Sequence, residues 1–187
     1  MKKLLFIAVL FCGVALSAQS QEFKPFRVDL GVGYGLPFAK SLDGGVQFYV
    51  EPKYEVAPQL AVGLRWEGSL FGGAEQDGQS VDMKLSSSYM VTGDYYFNNN
   101  TFRPFVGLGL GLYSIGGASV DAVEVEGDGV EVELNASKNN FGALLRAGFD
   151  VSHFRFTLSY NYGGKIGDET FHFLGATIGF YLGGGRN

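Results

Sequence analysis

The sequence predicts an all-β protein, an eight-stranded antiparallel up-and-down transmembrane β-barrel, and three observations carry that prediction. Eight segments alternate apolar and polar or small residues with a period of two, the pattern of a strand with two unlike faces. The apolar faces end in aromatic residues while the other faces carry charges and glycine. The connections between segments are alternately very short and long. Composition agrees: of 187 residues, 29 are Gly, 17 Phe and 10 Tyr, a balance that favours strands and turns over helices. The net charge of −5 comes without a basic cluster, so nucleic acid is not an expected partner.

Residues 1–20 read as a secretory signal, leaving 21–187 as the barrel domain. Lys2 and Lys3 precede a short apolar core from Leu4 to Leu16, and Ala18-Gln19-Ser20 has the small-x-small form of a cleavage site. The apolar run is shorter than the roughly 20 residues a spanning helix needs. A lipoprotein reading through Cys12 is disfavoured, because Phe11 is bulky and the residues after Cys12 stay apolar. Removal of the signal removes the one cysteine, so neither thiol chemistry nor a disulfide is expected.

The first strand sets Phe26, Val28, Leu30, Val32, Tyr34 and Leu36 against Arg27, Asp29, Gly31, Gly33 and Gly35. The second sets Val46, Phe48, Val50, Tyr54 and Val56 against Gln47, Tyr49, Glu51, Lys53 and Glu55. In the third, Leu60, Val62, Leu64 and Trp66 oppose Ala61, Gly63, Arg65 and Glu67. The fourth has Leu85, Tyr89, Val91, Tyr95 and Phe97 on one face, with Lys84, Ser86, Ser88, Thr92 and Asp94 on the other. The fifth opposes Phe102, Val106, Leu108, Leu110 and Leu112 to Arg103, Gly107, Gly109 and Gly111. The sixth opposes Phe141, Ala143, Leu145, Ala147 and Phe149 to Gly142, Arg146, Gly148 and Asp150. The seventh opposes Phe154, Phe156, Leu158, Tyr160 and Tyr162 to Arg155, Thr157, Ser159 and Asn161. The eighth is the least polarised: Leu174, Ala176, Ile178, Phe180 and Leu182 oppose Phe173, Gly175, Thr177, Gly179 and Tyr181.

Segments of this length match the roughly 9–11 tilted residues that cross a bilayer, and an open sheet edge in hydrocarbon would leave backbone groups unpaired, so the ribbon must close. An Arg or Lys on the lipid face near the midplane costs about 2–4 kcal/mol. The seven basic residues Arg27, Lys53, Arg65, Lys84, Arg103, Arg146 and Arg155 are therefore expected inside. There they meet Asp29, Glu51, Glu55, Glu67, Asp94 and Asp150 in a charge network. Charge along the length of the lumen is the resulting expectation, with glycines making room for long side chains. A soluble, lipocalin-like barrel would reverse the faces, but it fits poorly with two aromatic girdles. Tyr34, Trp66, Tyr89, Tyr160 and Tyr162 stand near one rim, and Tyr54, Tyr95, Phe97, Phe102, Phe149 and Phe154 near the other.

Short turns are expected at Ala57-Pro58, Asn98-Asn99-Asn100 and Ser152-His153, and longer loops at Pro37–Gly45, Gly72–Ser80, Gly116–Lys138 and Gly163–Thr170. Membrane barrels of this kind have short periplasmic turns and long outer loops, which puts both termini in the periplasm of a cell with an outer membrane.

On the strand count, the girdles and the ending from Phe173 to Leu182, the mature chain resembles the small outer-membrane barrels of the OmpX, OmpW and OmpA-membrane-domain type. The resemblance implies insertion among outer-membrane lipids by the barrel-assembly machinery, and a structural, surface-interaction or porin-like role. One departure is the polar tail Gly183–Asn187 after the last alternating residue. Some relatives are lipid A deacylases with a His-x-Ser pair on a strand. Here Arg155 and Leu174 stand two residues beyond His153 and His172, so the pair is absent and no enzyme activity is expected.

No cofactor is expected either. Gly107-Leu108-Gly109-Leu110-Gly111 alternates in phase with a strand, without the helix a nucleotide loop requires. Within the 116–138 loop, Val123 to Glu133 reads as a hairpin with a Gly127-Asp128-Gly129 tip, valines on one face and acids on the other. Glu124, Glu126, Asp128, Glu131 and Glu133 are the candidate ligands for a divalent cation, or the contact face for a basic extracellular partner; charge runs are also commonly solvated. Two functions follow: a structural or interaction barrel with a side-chain-filled polar lumen, or an OmpW-like or narrow polar channel for small molecules.

Overall fold

In the computed structural model, residues 23–38, 42–73, 80–121, 132–134, 138–166 and 169–186 are described. The signal segment and most of the acidic hairpin lie outside them. All regular elements are strands: β1 (Phe23–Pro37), β2 (Leu42–Ala57), β3 (Leu60–Gly73), β4 (Ser80–Tyr96), β5 (Phe102–Asp121), β6 (Val132–Leu134), β7 (Lys138–Val151), β8 (Phe154–Ile166) and β9 (Glu169–Arg186). Each pairs antiparallel with its neighbour, and β1 pairs with β9, for example Leu30 with Phe180. With β4 paired to β5 as well, the sheet has no open end in the spanning region.

Nine strands make eight staves, because β6 and β7 lie along the same side of β5. Lys138 pairs with Ile115 and Leu134 with Ala118. The register shifts by one residue between these two pairs.

Alternation sorts the side chains by face. Val32, Leu64, Val91, Leu108, Leu145 and Leu158 point outward and are exposed. The tyrosines and Trp66 of one girdle are exposed outward near the end where the long loops emerge, the loop end. At the opposite, turn end, Tyr95, Phe97, Phe102 and Phe154 are likewise exposed. No helix among the described residues is long and apolar enough to cross a membrane.

The connections differ from the sequence expectation in their limits. β5 continues to Asp121 and β4 begins at Ser80, so this hairpin is paired well past the loop-end girdle. The 163–170 loop shrinks, since β8 runs to Ile166 and pairs Lys165 with Thr170 across a bulge. The tail expected after Leu182 is also a strand. Gly183 and Gly184 adopt φ of 74° and 67°, which glycine tolerates without strain, and Lys24 and Phe23 then pair with Gly185 and Arg186.

Candidate functional site

The inward faces stack into layers along the barrel axis. Nearest the turn end, Ala61, Tyr96 and Phe105 form a small buried cluster. Against it begins a continuous ion network drawn from seven of the nine strands. Glu51 on β2 is its centre. Its carboxylate accepts from Arg146 Nη1 and Nη2 at 2.8 and 2.7 Å, from Arg65 Nη1 at 3.1 Å and from the Thr92 hydroxyl at 2.6 Å. Asp94 accepts from Arg146 Nε at 2.8 Å, Lys53 Nζ at 2.7 Å and Arg155 Nη2 at 2.7 Å. Asp29 is paired with Arg27 at 3.0 Å and Lys53 at 2.8 Å. Asp150 is paired with Arg27 at 3.0 Å and Arg155 at 3.3 Å. Glu67 takes Arg65 at 2.5 Å, and Glu55 takes Arg103 at 3.2 Å.

Rings cover the cations from the sides. Arg65 lies 3.7 Å over Tyr49, Arg155 3.6 Å over Phe105, Arg103 4.2 Å over Tyr96 and Arg27 4.4 Å over Tyr181. The Tyr96 hydroxyl accepts from both Arg27 and Arg155. Planar guanidinium groups suit this combination of in-plane carboxylates and stacked rings.

Of the thirteen residues that the sequence reading placed in the lumen network, the structure brings twelve together: Arg27, Lys53, Arg65, Arg103, Arg146 and Arg155 with Asp29, Glu51, Glu55, Glu67, Asp94 and Asp150. Lys84 stands apart, half-buried near the loop end, and the ion pairs among the described residues do not include it. Without it the network is neutral, six charges against six. Neutrality matters because the solvation lost by each buried ion is recovered only from its partners.

Charge does not continue along the whole lumen, which corrects the sequence expectation. Above Glu67 the inward residues are Gln47, Ser69, Ser86, Ser88, Thr157, Ser159, Asn161 and Thr177, all buried. Above these lies an apolar cluster of Phe71, Met90, Tyr113, Ile115, Leu144, Phe171 and Phe173. The rings of Phe71, Phe171 and Phe173 pack edge-on or tilted at 5.2–5.8 Å. Of these residues the sequence reading named only Phe173. The signal was present: Phe71, Tyr113 and Ile115 continue the inward phase of β3 and β5, and Met90 and Leu144 interrupt the polarity of theirs.

Glycines make the crowded middle possible. A Cβ on Gly107 would press on the Asp94 carboxylate and stand 3.0 Å from Arg146 Nε. Gly107→Ala is therefore expected to destabilise the barrel by about 1–3 kcal/mol, the usual effect of overpacking. Denaturant unfolding in lipid vesicles checks this, with Gly93→Ala as control, since a Cβ there meets nothing within 4 Å.

The remaining sequence candidates lie elsewhere. His153 sits exposed in the Ser152-His153 turn, its Nδ1 3.4 Å from the Ser152 hydroxyl. His172 faces outward at the loop end, stacked 4.6 Å from Phe38 and 3.2 Å from the Tyr160 hydroxyl. Glu124, Glu126, Asp128 and Glu131 lie outside the described residues; Glu133 is in β6, opposite Ser119. Among the described residues no group of His, Asp, Glu or Cys is arranged to hold a metal ion.

A closed antiparallel barrel with an apolar exterior, two girdles and a neutral ionic interior defines a small transmembrane barrel. The chain belongs to the outer membrane protein beta-barrel domain family, whose sequence profile matches residues 5–182, and the outer membrane is its place. Solved structures share the fold. One is Ail, the attachment invasion locus protein of Yersinia pestis, in complex with the heparin analogue sucrose octasulfate. It is 15% identical with a TM-score of 0.57, over 84% of this chain and 99% of that one. Neisserial surface protein A is 13% identical with a TM-score of 0.55, over 87% and 99%. The outer membrane enzyme PagL is 13% identical with a TM-score of 0.50, over 81% and 98%. Comparison with curated proteins gives no significant sequence match.

Proposed function

We propose that this chain is a non-enzymatic structural and surface-interaction barrel, with both termini in the periplasm and the long loops projecting from the cell. The observation that carries this reading is the neutral, fully paired ion network beneath a packed aromatic layer. Eight-stranded barrels are just wide enough for side chains to fill, and here charged, polar and apolar layers follow one another without a change of wall. Short turns at the end holding both termini support the orientation.

The contact surface is the 116–138 region. The β4–β5 hairpin is paired as far as Ser80 and Asp121, and β6 pairs beside β5 at residues 118–120, so the acidic run Glu124–Glu133 is joined to a base of paired strands. Ail has been solved with a sulfated sugar analogue. An acidic loop repels such a polyanion, and the complementary partner for this chain is a basic one. A divalent cation shared among Glu124, Glu126, Asp128, Glu131 and Glu133 is the second ligand that the charge pattern suits.

Deleting residues 119–136 is expected to leave a folded barrel while abolishing attachment to basic surfaces, read as cell or vesicle binding to immobilised polylysine against anionic controls. In planar bilayers the intact protein is expected to give no conductance steps. Steps of reproducible size would overturn the filled-lumen reading and favour the narrow channel instead.

A further inference from the structure

We infer that the lumen holds a closed hydrated chamber between two seals of different chemistry, and that the aromatic layer alone closes it toward the loop end. The inference rests on the filled-lumen reading above and adds where water sits and what excludes the outside.

The chamber wall is formed by β2, β1, β9 and β8. Seven buried side-chain atoms on those strands have no hydrogen-bond partner among the described residues. Three belong to Arg27, Asp29 and Glu55 of the ion network, and the other four are Gln47 Oε1, Tyr49 Oη, Thr157 Oγ1 and Thr177 Oγ1. Each belongs to a residue no more than 6% exposed. They are neighbours. Thr157 and Thr177 are directly opposite across β8 and β9. Tyr49 reaches over Gly31 and Gly179, and Gln47 lies against Gly175 and Ser159. An isolated unpaired polar atom inside a protein is a costly exception, and buried groups of this kind are satisfied by internal water. Four of them converging on a strip of bare glycine backbone give water molecules the several partners they require.

Below the chamber, Arg65 stacked on Tyr49 and bonded to Glu67 begins the ion network. Above it the lumen is closed by rings that lie on glycine where the wall has no side chain. A Cβ on Gly35 would stand 2.9 Å from Phe71, and one on Gly163 would stand 2.8 Å from Phe171. Tyr113 rests on Gly142 in the same way. Phe71 on β3 and Phe173 on β9 meet at 5.2 Å although two strands separate them along the wall. Such contacts set apolar rings across the lumen between the polar layer and the loop end. An ion network can exchange partners with water, whereas an apolar seal of this kind excludes it outright, so the two barriers respond to different changes.

The test places one reporter thiol in the chamber. The barrel is prepared without residues 1–20, which hold the sole cysteine, Cys12, and Ser159→Cys introduces the reporter with little change of volume. Barrels reconstituted in phosphatidylcholine vesicles are treated from one side with a small cationic methanethiosulfonate. With the rings intact, the thiol is expected to stay unlabelled from either side. In Phe71→Ala/Phe173→Ala it is expected to label from the loop side and to remain silent from the turn side. Phe71→Val alone, a gentler change, is expected to give partial labelling in the same sense if the double variant folds poorly.

Labelling with the rings intact would overturn the seal. So would silence in a folded ring variant, whose integrity is read from Trp66 fluorescence. Water is checked separately by cross-relaxation from water to the Thr157 and Thr177 methyl groups in nanodiscs, whose absence would overturn the chamber. Conductance of the unaltered protein bears on the filled-lumen reading, and reporter labelling on this one, so the two can fail independently.

Discussion

Glu51→Ala is expected to destabilise the barrel by about 3–5 kcal/mol, the range for breaking a buried ion pair by removing one partner. Glu51 is fully buried and accepts four hydrogen bonds, two of them from the two ends of the Arg146 guanidinium. Alanine leaves Arg146 with Asp94 alone and Arg65 with Glu67 alone. Six positive charges then face five negative ones in a space screened from water by the surrounding side chains. The double variant Glu51→Gln/Arg146→Gln restores neutrality and should be less destabilised than Glu51→Ala, because no charge is orphaned. Equilibrium unfolding in vesicles, followed through the single tryptophan, Trp66, measures both. A loss for Glu51→Ala of less than about 1 kcal/mol, the range of exposed pairs, would show that the network is solvated.

An arginine on the outer wall is the second large effect. Leu108 is 61% exposed, midway along β5 between Phe102 and Tyr113, where the hydrocarbon is deepest. Leu108→Arg is expected to lower stability by about 2–4 kcal/mol, while an arginine near an interface costs about 0–1 kcal/mol. Val56, exposed at the turn end of β2, supplies the second position. Leu108→Arg should therefore lose clearly more than Val56→Arg, with Leu108→Ala separating charge from lost side-chain area. Equal losses at the two depths would contradict a bilayer around this wall. Six cations already stand inside the same barrel, so the comparison measures sidedness itself.

The wall was legible in the sequence because every residue on a strand declares its face through its neighbours two positions away. Arg27 and Asp29, Glu51 and Lys53, and Arg65 and Glu67 each recur at that interval, and a one-residue slip would turn them into lipid. The strand ends were less legible. Past the girdles both faces meet water or protein, so alternation no longer distinguishes them. Ser80–Lys84, Gly116–Asp121 and Gly183–Arg186 pair as strands nonetheless.

Who meets whom across the lumen was not legible. Glu51 and Arg146 lie 95 residues apart, and period two says only that both face inward. Their contact depends on the tilt and stagger at which the sheet closes, a property of all the strand pairs together. The same closure sets Lys84 outside the network and brings Phe71, Phe171 and Phe173 into one layer. By itself, then, the order of residues determined the sheet, its sidedness and the signs of charge within, since these follow from local alternation and the free energy of ions in hydrocarbon. Only the closed tertiary structure decided the layering of the lumen, because depth along the axis is fixed by the register of strands distant in the chain.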